Sequence, residues 1–234
     1  MKTIMKKDNF KKLKKIAVLT TPSNWFVPHA EKLVKILKQK KFQAQLFFDH
    51  KEVTNEYQIV FIASYHKIID KKYLKQHKYN LVVHGSNLPK GKGWAPIFWQ
   101  VIEGKNKIPI VLFEATEAVD AGKIYLKDYI KLTGTELQKE IRKLQAQKTI
   151  ELYLKFLGEF EKLKPKKQIG TSTFYPKRNS KNSELNINQS IKKQFNLLRT
   201  VNNKDFPAFF VIKNQKYIVK IYKEQLAFDT RKKK

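Results

Sequence analysis

Short apolar runs alternate with polar, helix-like stretches along most of this chain. Lys15 to Leu19 predicts a first strand, followed by a turn over Thr20 to Asn24. Pro28 suits the first turn of a helix, and Leu33, Val34, Ile36 and Leu37 give that helix one apolar face ending near Lys40. Phe42 to Phe48 alternates as a second strand. Gln58 to Ala63 is a continuous apolar run, the pattern of a strand buried on both faces. A helix is expected over Lys67 to His77, and Asn80 to His84 is a fourth strand that leads directly into a histidine. A helix around Trp94 to Glu103 stops at Gly104, and Ile108 to Phe113 begins another strand. A polar loop then runs from Glu114 to Ile124 before a strand over Tyr125 to Leu132. Thr133 to Glu136 offers a cap for a long amphipathic helix from Leu137 to Leu163. Strands separated by helices imply βαβ units, hence an α/β fold with a mainly parallel, doubly wound sheet.

Lys164-Pro165-Lys166-Lys167 breaks the long helix, and the expected division is a catalytic domain at 1–167 and a small carboxyl-terminal appendage at 168–234. The appendage reads as α+β. One amphipathic helix is predicted at Gln189 to Val201, then a hairpin of Phe209 to Lys213 and Lys216 to Tyr222 turning at Asn214-Gln215.

Composition narrows the classes. The hydrophobic content of 41% is that of a globular chain. The absence of cysteine removes disulfides, thiolate nucleophiles and Cys-ligated metals, and suits a reducing cytoplasm. No window approaches the length of a membrane span, so a soluble, cytoplasmic protein is expected. The net charge of +29 favours an anionic partner, yet only four of the 49 basic residues are arginine: Arg142, Arg178, Arg199 and Arg231. Nucleic-acid readers favour arginine for its bidentate fork, so the charge reads as a solvated lysine coat, with RNA as the competing reading.

The chemistry is concentrated after the fourth strand. His84 enters Gly85-Ser-Asn-Leu-Pro89-Lys-Gly-Lys-Gly-Trp94-Ala-Pro96, where glycines admit a ligand to the backbone and Ser86, Asn87, Lys90, Lys92 and Trp94 supply donors, charge and a stacking face. A histidine at the carboxyl end of a buried strand is where open α/β folds place chemistry. Asp120 also follows an apolar strand, so adjacent strands would bring the two together, the carboxylate orienting the imidazole and raising its basicity. The plainer readings are a turn aspartate and a satisfied buried histidine. The remaining histidines, His29, His50, His66 and His77, show no metal-ligand spacing, and no metal is expected.

His84-Gly-Ser-Asn-Leu-Pro89, Gly91-Lys-Gly-Trp-Ala-Pro96 and Val119-Asp120-Ala-Gly-Lys-Ile124 together resemble the 10-formyltetrahydrofolate-dependent formyltransferases, over roughly positions 58 to 135. That family's motif runs Asn-x-His-x-Ser-x-Leu-Pro, then Arg-Gly-x-x-Pro, with Asp-x-Gly further on. The resemblance implies a Rossmann-like formyltransferase fold, with His84 as base and Asp120 as its orienter. It implies 10-formyltetrahydrofolate as cosubstrate, its pterin along Ser64, Tyr65 and His66 and the segment of Glu114, Ala115, Thr116, Glu117 and Val119. One position departs: Val82 stands where the family has its catalytic Asn. Asn87 is the first substitute, while Asn80 sits roughly 13 Å from His84 along the strand. The appendage is more like the short extension of sugar N-formyltransferases than the larger domain of methionyl-tRNA formyltransferases. The acceptor it implies is a nucleotide-linked amino sugar met by Ser86, Lys90, Lys92 and Trp94. An aminoacyl-tRNA acceptor and a non-catalytic polyanion binder are the alternatives, and a homodimer is left open.

Overall fold

A computed structural model describes residues 14–224, so the lysine runs at Lys6-Lys7, 11–13 and 232–234 lie outside the described residues. Four strands are parallel neighbours: β2 (Gln43–Phe47), β1 (Lys15–Leu19), β3 (Ile59–Ile62) and β4 (Tyr79–His84). Two longer strands, β6 (Lys107–Glu114) and β7 (Ile124–Lys131), extend the sheet antiparallel beyond β4. A two-residue strand, β5 (Lys92–Gly93), lies in the loop between β4 and β6.

The central strands are buried on both faces, which is why they are apolar without alternation, while the edge strands β2 and β7 expose alternate residues. Ile16, Val18, Ile59, Phe61 and Leu81 point to one face, under α1 (Val27–Gln39), α3 (Pro96–Ile102) and α4 (Gln138–Glu159). Tyr153 of α4 fixes that layer by donating its hydroxyl to the Ile62 carbonyl at 2.9 Å. Ala17, Leu19, Val60 and Ile62 point to the other face, which Tyr73 of the short α2 (Lys71–Leu74) helps to cover.

The helix expected over Lys67 to His77 is therefore a single turn. Asp70 is extended and its carboxylate accepts the Tyr73 backbone N–H at 2.8 Å, so the helix starts there and not at Lys67. The hairpin of β9 (Ala208–Ile212) and β10 (Gln215–Val219) is also displaced at its turn. Ile212 pairs with Gln215, which leaves Lys213-Asn214 as a two-residue loop with φ of 47° and 62°. Positive φ at both positions is the type I′ turn that matches strand twist.

Residues beyond 167 stay against the sheet domain. Arg199, just after α5 (Ile191–Leu198), is fully buried. Its Nε donates to Asn196 Oδ1 at 2.8 Å, Nη2 donates to Asn106 Oδ1 at 2.7 Å, and Nη1 lies 3.7 Å from Glu136 Oε2. Burial pushes the Glu136 carboxyl up, but hydrogen bonds donated by Thr133 and Gly134 hold it below its ordinary value.

Candidate active site

His84 is the last residue of β4 and is buried. Its Nδ1 lies 3.7 Å from Asp120 Oδ1, and its Nε2 lies 2.8 Å from the Gly91 carbonyl. A carbonyl only accepts, so this contact assigns the proton to Nε2 and leaves Nδ1 facing the carboxylate.

Asp120 does not arrive from a parallel neighbour. Because β6 runs antiparallel to β4, Glu114 lies opposite Leu81, and the hairpin tip must fold back to reach His84. Gly122 permits this: a Cβ there would stand 1.7 Å from the Glu114 carbonyl oxygen. Asp120 has φ of 52°, a left-handed conformation that aspartate adopts more readily than most residues. Its Oδ2 accepts the Gly93 backbone N–H at 2.9 Å. The two loops of the sequence motif are thus joined through one carboxylate.

A polar strap from the segment after α4 holds both loops. Lys166 and Ile124 exchange backbone hydrogen bonds of 2.8 and 2.9 Å. Gln168 donates its side-chain amide to the carbonyls of Asp120 and Gly122, each at 2.9 Å. Thr173 Oγ1 accepts the Gly91 N–H at 2.8 Å, and β8 (Phe174–Tyr175) pairs with β5. Gly93 has φ of +92°, and a Cβ there would meet the Tyr175 carbonyl oxygen at 2.5 Å. The strap therefore braces the glycine whose carbonyl touches His84 and the aspartate beside it.

Of the acceptor-side residues, Ser86 is buried and its hydroxyl has no hydrogen-bond partner. Lys90 is exposed, Lys92 is half-buried with its ammonium 5.8 Å from the Phe174 ring centre, and Trp94 is exposed. Asn87 is exposed, and its Oδ1 accepts Lys127 Nζ at 2.5 Å. Lys127 is opposite Val111, which is opposite His84, so the three share one row of the sheet. Val82 occupies the same face as His84 and packs with Leu88, Val111 and Phe113.

The folate-side residues divide. Tyr65 and Ala115 pack with Val82 against one apolar cluster, which draws the two loops together. The Tyr65 hydroxyl also bonds His50, at 2.8 Å from Nδ1. Ser64 has φ of 52° and its carbonyl accepts Asn24 Nδ2 at 2.8 Å. His66 is held by its backbone N–H to Thr21 Oγ1 at 3.0 Å, with its ring 5.5 Å from that of Trp94. Glu114 turns to β4 instead, accepting the Asn80 N–H at 3.1 Å, and burial pushes its carboxyl up. Thr116 bonds the Ala118 carbonyl, while Glu117 and Val119 are exposed.

Gln168, Thr173 and Lys127 were not foreseen from sequence. The first two act on backbone groups, which leave no residue pattern to find, and Lys127 reads as one more solvated strand lysine. Arg142 did carry a signal, as a rare arginine among lysines.

Comparison with known proteins gives the family and the fold. The formyl transferase family model matches residues 3–157. Methionyl-tRNA formyltransferase of Clostridium acetobutylicum is 28% identical over 180 residues, covering 75% of this chain and 56% of that protein. The chain thus spans about half the length of the curated relatives it matches. HypX from Aquifex aeolicus, solved in complex with tetrahydrofolic acid, superposes with a TM-score of 0.73 at 17% identity, over 88% of this chain and 37% of that one. A sugar N-formyltransferase from Shewanella sp. FDAARGOS_354 gives 0.67 at 14% identity, over 92% of this chain and 100% of that one. These structural likenesses show the shared fold, and the family match, extending over more than half the sequence, shows that the chain belongs to the formyl transferase family.

Proposed function

We propose that this protein is an N-formyltransferase that moves a formyl group from 10-formyltetrahydrofolate to the amine of a nucleotide-linked amino sugar. The observation that carries the reading is the buried His84 with Asp120 Oδ1 3.7 Å from its Nδ1. An amine that attacks an acyl carbon must lose a proton. Nδ1 is the nitrogen of His84 with a free lone pair, and the Asp120 carboxylate beside it stabilises the imidazolium that results. The Gly91 carbonyl at Nε2 stabilises the same charged form from the other side. The folate supplies the formyl carbon: its bond to N10 breaks as the new C–N bond forms, and the proton passes to the departing N10.

The half-buried apolar surface of Tyr65, Val82 and Ala115 suits one face of a pterin, the surrounding backbone providing the polar contacts. Val82 offers no donor to the formyl oxygen. Asn87 is the substitute this reading favours, because Lys127 occupies its Oδ1 and leaves Nδ2 to donate. Such a donor is commonly worth ~3 kcal/mol in the transition state.

Incubation with 10-formyltetrahydrofolate and a panel of nucleotide-linked amino sugars, read by mass, tests the proposal. A formyl mass gain on a sugar amine is expected. Formylation of methionyl-tRNA but of no sugar would move the acceptor to the reading favoured by the curated relatives. No gain on any amine would overturn catalysis and favour the polyanion-binding reading.

A further inference from the structure

Arg142 of α4 stands apart from the other ionic groups. Its guanidinium is sandwiched between two aromatic rings, 4.3 Å from the Trp25 ring centre and 5.0 Å from that of Phe98. Its Nε is buried without a hydrogen-bond partner, and no carboxylate pairs with it among the described residues. Burial, with repulsion from Arg178, pulls it down to about 10, so it remains a cation at neutral pH. Aromatic faces attract such a cation but do not neutralise it.

The surroundings add charge of the same sign. Lys177 Nζ lies 5.1 Å over the Trp94 ring, and Arg178 lies 5.9 Å over Trp99. Each of the chain's three tryptophans therefore faces a cation of this group. His66, against Trp94, is held below its ordinary value by burial and by Lys177 and Arg142. Glu103, a carboxylate at the end of α3, is committed to Tyr175 and Lys105. Trp94 directly follows the glycine that Asp120 holds, so the cluster adjoins the His84 site. Cations with aromatic faces and no internal counter-charge are a receptor for an anion from outside.

We infer that Arg142 and Lys177 form an anion subsite that takes the phosphate groups of the acceptor while its amine lies at His84. This rests on the formyl-transfer reading for its acceptor but not for its test. A solvated lysine coat would attract anions everywhere, whereas this cluster is local and framed by rings.

The tryptophans make the test direct. Inorganic pyrophosphate is titrated into the intact protein at physiological salt, and intrinsic fluorescence is followed. A saturable change is expected, weakened about tenfold or more in Arg142→Met and in Lys177→Ala, and unchanged in Lys38→Gln, which removes an exposed charge from α1. Lys177 is exposed, so its variant carries the test if Arg142→Met does not fold. No saturable response, or equal weakening in Lys38→Gln, overturns the subsite. So does a response to the glutamate tail of folic acid that the two variants abolish while pyrophosphate binding stays intact. A single-stranded RNA oligonucleotide that outcompetes pyrophosphate by far would assign the subsite to nucleic acid and overturn the small-acceptor form. Pyrophosphate binding without any formyl transfer supports the subsite and sinks only the proposed reaction.

Discussion

Two arginines show how differently this molecule uses the same side chain. Around Arg199, Nε and Nη2 donate to Asn196 and Asn106, Nη1 makes no hydrogen bond but has the Glu136 carboxylate 3.7 Å away, and the residue is sealed from solvent. Around Arg142 the partners are the faces of Trp25 and Phe98, and Nε is unanswered. The first region is closed in the free protein and ties the appendage to the sheet domain. The second has no carboxylate partner among the described residues, and it borders the site where Ser86 keeps a buried hydroxyl without a hydrogen-bond partner. A carboxylate within the fold marks the joint, and its absence marks the receptor.

The sharpest break of this contrast is a matched pair of variants. Arg199→Met should destabilise by about 3–5 kcal/mol, because it empties a buried polar network and strands its partners. Arg142→Met should change stability by no more than ~1 kcal/mol, since losing the ring contacts is offset by relief of a desolvated, unpaired charge. Equal losses in urea melts would end the distinction.

Next in size is the chemistry. His84→Asn and Asp120→Asn should each lower turnover by roughly two orders of magnitude or more, with melting temperature little moved. Near-normal turnover in either variant would remove that residue from the mechanism.

Smaller still is the strap. Gln168→Ala removes both donors to the Asp120 and Gly122 carbonyls. Turnover should fall about tenfold, with Asp120 less well placed, and the acid limb of the pH–rate profile should shift. Gln168→Glu, which keeps the length but not the donors, should behave like Ala; full activity in it would show that Gln168 only fills space.

The finest test reads His66 by proton NMR. Free protein should show it titrating below 6.5, and pyrophosphate or Arg142→Met should move it upward by supplying an anion or removing a cation. A His66 indifferent to both would separate it from the cluster.

Much of this was legible in the sequence. The apolar runs of β1, β3 and β4 and the Pro28-led helix sit where periodicity puts them, and the motif residues His84 and Asp120 do meet. The direction of β6 was not legible, because Ile108 to Phe113 is buried on both faces and such a run reads alike in parallel or antiparallel pairing. Nor was the strap: Lys166, Gln168 and Thr173 engage carbonyls and amides, which every residue owns. The lysine bias had one overlooked reading. All three arginines among the described residues are drawn inward, to rings or to a buried fork, so in a lysine-rich chain the rare arginine points to a place where planarity matters.

The strap also governs how such a protein can be recombined. A chimera that grafts a new carboxyl-terminal segment onto the sheet domain has an apparent joint at the end of α4. Here a cut just after Glu159 discards Gln168 and Thr173, the side chains that hold the loops around His84. A graft joined beyond Tyr175 would keep the catalytic loops in their own harness, and only then would exchanging the appendage report on acceptor choice alone.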